Sequence, residues 1–283
     1  MMKIAETIAE ISAYLDSIRS QGKTIGFVPT MGTLHDGHLS IIAIAKAQTD
    51  IVVCSIFVNP KQFDNLEHFK THSDTLDADI EKLSHKETDV LFLPSVAEIY
   101  PAGTSQTPHY DFGYLETALE RSPGSKHLQG VGQIVQRLLE IIKPHKIFKS
   151  IKDYQQYLVI KKIIEISGLD VVSVPCPTYR EDDGLAMSNR NKELTTEERR
   201  KASAIYKNLQ FMKGNINTIA FSELKILVEY SLESLGFNIH YVAIAHADSL
   251  ELLRAPIKEP MVVLIAAWLG EVKLIDNILI DNN

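Results

Sequence analysis

Two histidines, His35 and His38, stand three residues apart in the run PTMGTLHDGH, residues 29–38, with Gly32 and Gly37 close by. Imidazoles at that spacing in the first turn of a helix share one face. They can donate hydrogen bonds to phosphate oxygens and stabilise the charge that gathers on a departing pyrophosphate. The two glycines permit unusual backbone angles and close approach of a ligand. Two readings compete: merely structural histidines, which the flanking glycines at a strand-to-helix junction disfavour, and zinc, which needs a further histidine or acid at readable spacing that the sequence does not offer. Neither a G-x-G-x-x-G pattern nor a Walker lysine loop accompanies the run.

The elements that must position these groups are legible around them. A buried strand is expected at 24–28 (TIGFV) and a helix at 38–48, so the histidine loop sits at the carboxyl end of a strand, where open α/β sheets bind ligands. A helix start there also offers unpaired N–H groups and the positive end of a dipole. Ile4, Ile8, Ile11, Leu15 and Ile18 recur at helical spacing, with Gly22 as the stop. Continuous apolar runs at 51–57 and 89–93, and strands at 145–148 and 169–174, alternate with helices at 75–84, 130–142 and 154–167. That order predicts an α/β fold with a parallel sheet covered on both faces. After Pro175 the pattern changes. A polar stretch at 178–191 leads to helices at 195–213 and 220–235, then strands at 239–245, 261–268 and 272–280. A smaller α+β domain is expected there, with the boundary near residue 178, giving domains 1–178 and 179–283.

Bulk properties narrow the function classes. The net charge of −7 lacks the basic stripe that a non-specific nucleic-acid binder uses on phosphates. Cys54 and Cys176 lie in apolar runs without C-x-x-C spacing, which reads as two buried thiols in a reducing compartment. The N-terminal residues carry acids among their apolar positions, unlike a secretory signal. The longest apolar run is too short to span a bilayer. A cytoplasmic enzyme, with neither nucleic acid nor membrane as partner, is the expectation.

The H-x-G-H pattern is similar to the signature of nucleotidylyltransferases. With SIFVNPKQF, KDYQQ at 152–156, DGLAMSNRN at 183–191 and LIDN at 274–277 in order, the chain resembles the pantothenate synthetase family from about residue 3 to 280. The resemblance implies a Rossmann-like N-terminal domain carrying the nucleotide loop, a smaller C-terminal lid and a homodimer. It implies joining of pantoate to β-alanine with ATP and Mg2+ through a pantoyl-adenylate, releasing AMP and pyrophosphate. Carried over by motif, Met31, Gly32, Thr33, Leu34, His35, Asp36, Gly37 and His38 form the ATP phosphate loop, with His38 as proton donor and His35 assisting. Ser150, Ile151, Lys152 and Asp153 form a second ATP segment. Lys152 lies on the phosphates, and Asp153 accepts from the ribose, caps the helix that follows, or does both. Tyr179, Met187, Ser188, Asn189 and Arg190 complete the ATP set, Arg190 offering its planar fork to the triphosphate. Gln62 and Gln156 hold pantoate. Asn59 serves β-alanine or shapes its loop. Asp79 is either a carboxylate near Mg2+ or a helix-surface acid.

The chain departs from the family pattern in places. Ser150 and Ile151 stand where the family commonly has glycine and glutamate, Asn189 replaces a serine, Gln129 replaces an arginine, and Asp74 reverses an arginine's charge. These departures motivate a weakly active nucleotide-binding relative as one competing reading. A nucleotidyltransferase acting on another acceptor is the other.

Overall fold

The computed structural model describes residues 2–62, 75–104, 108–119 and 126–281. Contacts divide the chain into two compact units. The first comprises Met1–Phe112, Gly124–Ser150 and Val159–Cys176; the second comprises Gly113–Pro123, Ile151–Leu158 and Pro177–Asn283.

The first unit is built on six parallel strands: β1 (Lys3–Ala5), β2 (Ile25–Thr30), β3 (Ile51–Ile56), β4 (Val90–Phe92), β5 (Lys146–Ser150) and β6 (Val172–Cys176). Their order is β1-β4-β3-β2-β5-β6, and every pairing is parallel. The chain steps outward from β2 to β3 and β4, then returns to place β5 on the other side of β2. The reversal between β2 and β5 is the topological switch point where such sheets open a ligand crevice beyond the strand ends. β3 is buried at every position, as a central parallel strand covered on both faces must be. Helices α1 (Ile8–Ser20), α2 (Asp36–Lys46), α3 (Leu76–His85), α4 (Val96–Ile99), α5 (Lys126–Ile142) and α6 (Tyr154–Ser167) connect them. One core cluster joins Val28, Leu34, Leu39, Ile42, Val52, Cys54, Leu83, Leu91 and Phe148. Burial pushes the thiol of Cys54 up to about 12 and that of Cys176 up to about 11, so both stay protonated and inert.

The second unit packs α7 (Thr196–Ala202), α8 (Ala204–Asn215) and α9 (Phe221–Glu233) with an antiparallel sheet ordered β7 (Phe237–His246), β8 (Met261–Leu269), β9 (Val272–Ile280).

Three expectations are corrected. Ile4 does not extend the α1 stripe. Thr7 closes a capping box with Glu10 and starts the helix at Ile8, and residues 3–5 pair with β4 instead. The helix expected over 195–213 breaks at Ser203 into α7 and α8. α2 begins at Asp36, ahead of the expected start at His38, which changes what the histidines do. The described residues contain no helix long and apolar enough to cross a membrane.

Candidate active site

β2 runs out at Thr30, whose hydroxyl donates to the Ser55 carbonyl at 2.7 Å. The chain then turns through two left-handed residues, Gly32 (φ 84°) and Thr33 (φ 51°). Glycine adopts that conformation readily, but a β-branched residue does so only under constraint. The constraint is visible. Leu34 is driven into the core, 2% exposed. Its N–H donates to Asp79 Oδ1 at 2.8 Å, and its carbonyl accepts from Lys82 Nζ at 2.7 Å. The Thr33 hydroxyl lies 3.3 Å from that of Thr75, which donates to Asp79 Oδ2. Met31, at the start of the loop, is 39% exposed.

His35 is the N-cap of α2 and His38 its third residue. The N–H of Gly37 donates to His35 Nδ1 at 3.1 Å, and the N–H of His35 donates to His38 Nδ1 at 3.3 Å. This is a capping box in which imidazoles replace the usual hydroxyl and carboxylate. A ring nitrogen that accepts from an amide carries no proton. Each neutral imidazole is therefore held with its hydrogen on Nε2, as a donor. The rings lie 4.1 Å apart between centroids. The histidines thus build the helix start and set their own tautomers with the same bonds. Asp36 and Gly37 fill the first turn between them.

The loop after β3 is organised by Asn59, which is 1% exposed. Its Nδ2 donates to the Gly130 carbonyl at 3.0 Å, and its Oδ1 accepts from the Lys61 N–H at 3.2 Å and from the Tyr100 hydroxyl at 3.1 Å. Burial raises the Tyr100 phenol to about 12, so it remains a donor. Of the two roles open to Asn59, the geometry realises loop shaping. Gln62 lies in the single turn Pro60–Gln62 against α5. A side chain at Gly130 would come within 3.0 Å of the Lys61 carbonyl and 3.3 Å of Gln62 Cγ. Glycine thus lets the turn and the helix approach closely, where a larger residue would press on the Lys61 backbone.

In the second unit, Lys152 Nζ donates to the Met187 carbonyl at 2.8 Å. The carbonyls of Ile151 and Lys152 both accept from Asn277 Nδ2, at 2.7 and 2.9 Å. Beside Asn277, Asp276 is buried and takes a two-pronged pair from Arg180, at 2.6 and 3.0 Å, while the Arg180 guanidinium lies 4.1 Å over the Tyr206 ring. Burial lowers the Lys152 ammonium from its ordinary 10.5 to about 8. The carboxylates of Asp276 and Asp153 counter that fall, and Arg190 and Arg180 add to it. Burial likewise raises the Asp276 carboxyl, against the pull of Arg180. Tyr179 and Met187 face each other across a backbone bond of 3.0 Å. Ser188 caps the turn Asn189–Glu193 by accepting the Arg190 N–H at 3.4 Å, and the Arg190 side chain is exposed. Asp153 Oδ1 accepts the Gln156 N–H at 3.4 Å, so its capping role is realised at the start of α6.

The first unit therefore contains residues 31–38, Asn59, Gln62 and Asp79. The second contains Ile151, Lys152, Asp153, Gln156, Tyr179, Met187, Ser188, Asn189 and Arg190, of which Lys152 and Met187 are joined by a hydrogen bond. Ser150 ends β5 opposite Cys176. Gln129 grips both backbone groups of Tyr110, at 3.1 and 2.7 Å, a neutral bond pattern an arginine could not make because it has no acceptor. Asp74 lies outside the described residues. Sequence reasoning missed Lys82, Tyr100, Arg180 and the roles of Asp276 and Asn277. Only Lys82 carried a usable signal, its spacing of three from Asp79.

The described residues do not build a protein-held Mg2+ site. Asp79 is 1% exposed, and its oxygens are taken by Leu34, Thr75 and Lys82. Among the described residues no three histidines, cysteines or acids cluster as a metal would require.

Asn59→Ala should lower stability by about 2–3 kcal/mol, because it strands a buried carbonyl, an N–H and a hydroxyl together. Urea unfolding of the two proteins measures the difference.

Residues 3–279 match the profile of the pantoate-beta-alanine ligase family. Pantothenate synthetase from Thermus thermophilus superposes with a TM-score of 0.88 at 35% identity, covering 98% of this chain and 99% of that one. Pantoate-beta-alanine ligase from Francisella tularensis, solved with beta-gamma ATP and beta-alanine, gives 0.78 at 34% identity, with 99% and 98% covered. With the sheet order, the capped histidine loop and a match over nearly every residue, the chain belongs to the pantoate-beta-alanine ligase family.

Proposed function

We propose that this ligase condenses pantoate with β-alanine through a pantoyl-adenylate. The observation that carries the reading is the imidazole capping box at the sheet's switch point, which supplies two fixed Nε2–H donors beside a helix N-terminus. A carboxylate oxygen of pantoate attacks the α-phosphorus of ATP, the bond to the β-phosphate oxygen breaks, and pyrophosphate leaves. The β-alanine amine, having lost its proton, then attacks the acyl carbon, and AMP leaves with the former carboxylate oxygen.

The protein's part is positioning and charge stabilisation, with no covalent enzyme intermediate. His38 and His35 donate to the phosphates as charge moves onto them. Lys152 and Arg190 supply positive charge, while the main chain of 31–37 and the groups of Ser150, Ile151, Asp153, Tyr179, Met187, Ser188 and Asn189 bind the rest of the nucleotide. Gln62 and Gln156 hold pantoate with neutral amides, which orient a carboxylate without locking it in an ion pair. Mg2+ enters as part of the MgATP substrate, consistent with its habit of binding through phosphates and water. The family resemblance also supports a homodimer acting in the cytoplasm.

ATP–pyrophosphate isotope exchange should require pantoate and proceed without β-alanine. Mass spectrometry should find AMP and the amide product once β-alanine is added. Exchange that needs β-alanine but not pantoate would contradict the order. The pH dependence follows from Lys152. Its charged form is the protonated one, so the cation is lost as pH rises through about 8. kcat/KM for ATP should then fall about tenfold per pH unit above that point. Lys152→Arg, which stays charged, should remove this limb from the profile.

A further inference from the structure

The strained loop is not held by its own bonds alone. Asp79 and Lys82 stand one helical turn apart on α3 and reach the two ends of one residue, the N–H and the carbonyl of Leu34. Their charges also face each other at 3.7 Å, with Asp79 buried and Lys82 43% exposed. Thr75 extends the grip to Thr33. It is the N-cap of α3, yet its hydroxyl makes no capping bond and turns instead to Asp79 and Thr33. Left-handed Thr33 persists only where its surroundings over-determine it. Immediately after Leu34 comes His35, whose backbone N–H is half of the imidazole cap. A shift of the Leu34 peptide would therefore be passed directly to both rings.

We propose that Asp79 and Lys82 form a two-point clamp on Leu34 that positions the phosphate-binding loop, and that Asp79 is a positioning residue and not a metal ligand. The proposal rests on the reading that residues 31–38 hold the ATP phosphates. A carboxylate that ligated Mg2+ would need accessible oxygens, whereas these are buried and already face an amide and an ammonium at Oδ1 and a hydroxyl at Oδ2.

The test is ATP–pyrophosphate exchange and steady-state kinetics on the full chain for Lys82→Met, Lys82→Arg, Asp79→Asn, Asp79→Leu and His38→Ala, each with a Mg2+ titration. Lys82→Met changes a half-exposed side chain and leaves the core intact. It should raise KM for ATP or lower exchange about tenfold, with KM for β-alanine unchanged, and Lys82→Arg should restore most of the loss. Asn at 79 keeps an acceptor for the Leu34 N–H, so Asp79→Asn should stay within about threefold of the parent, with the same Mg2+ concentration at half-maximal rate. Asp79→Leu should lose about a hundredfold. The proposal is overturned if Lys82→Met matches the parent protein, or if Asp79→Asn raises the Mg2+ requirement about tenfold while Asp79→Leu does no more. Exchange unaffected by His38→Ala would instead overturn the phosphate-loop reading itself. Loss in His38→Ala with none in Lys82→Met would sink the clamp alone.

Discussion

The peptide between Gly32 and His35 has to lie in a conformation that most residues avoid, and the first unit is arranged around keeping it there. Two successive left-handed residues carry the chain sharply from the end of β2 into α2. A threonine in that region costs about 1–3 kcal/mol. Burying Leu34 returns about as much, and its bonds to α3 remove the alternatives. The result is a helix whose first turn is capped by imidazoles, with the tautomer of each ring dictated by a backbone amide. The same hydrogen bonds start the helix and orient both rings, so neither histidine could change without altering the cap.

The second unit resolves a different conflict. A poorly hydrated ammonium is a strong local charge, yet burial pulls that of Lys152 toward its neutral form. Asp276 and Asp153 offset part of that fall. Asp276 is itself buried and is kept in place by the Arg180 fork, which rests on Tyr206. Asn277, the next residue on β9, fixes the backbone of 151–152. One strand therefore supplies both the electrostatic and the geometric support for the lysine. Nothing in the spacing of LIDN announces that, because its partners lie 96 to 126 residues away in sequence.

Periodicity and punctuation made the architecture readable. β9 and the helix at 154–167 occur with the expected bounds, and the apolar runs at 51–57 and 89–93 became interior parallel strands. The misses have local causes. Ile4 fits a helical stripe, but a stripe says nothing about the cap that begins it, and Thr7 decides the start. Ser203 interrupts a segment whose composition is helical throughout. For the site, residue types and order nominate the loop, the lysine and the glutamines as candidates. They could not show how a polar side chain spends its bonds. Asp79 has the chemistry of a metal ligand, and Asn59 has that of a substrate contact. Burial and partners, which only the tertiary structure supplies, turn both inward. Gln129 shows the reverse case, a departure from the family pattern that has a structural use of its own.

The central claim is that the strained loop and its imidazole cap receive phosphate. A crystal structure with a non-hydrolysable ATP analogue tests it most directly. The account expects phosphate oxygens within hydrogen-bonding distance of the Nε2 atoms of His35 or His38 and of the α2 N-terminus. An analogue bound with its phosphates away from residues 31–38, and both imidazoles turned to other partners, would contradict it.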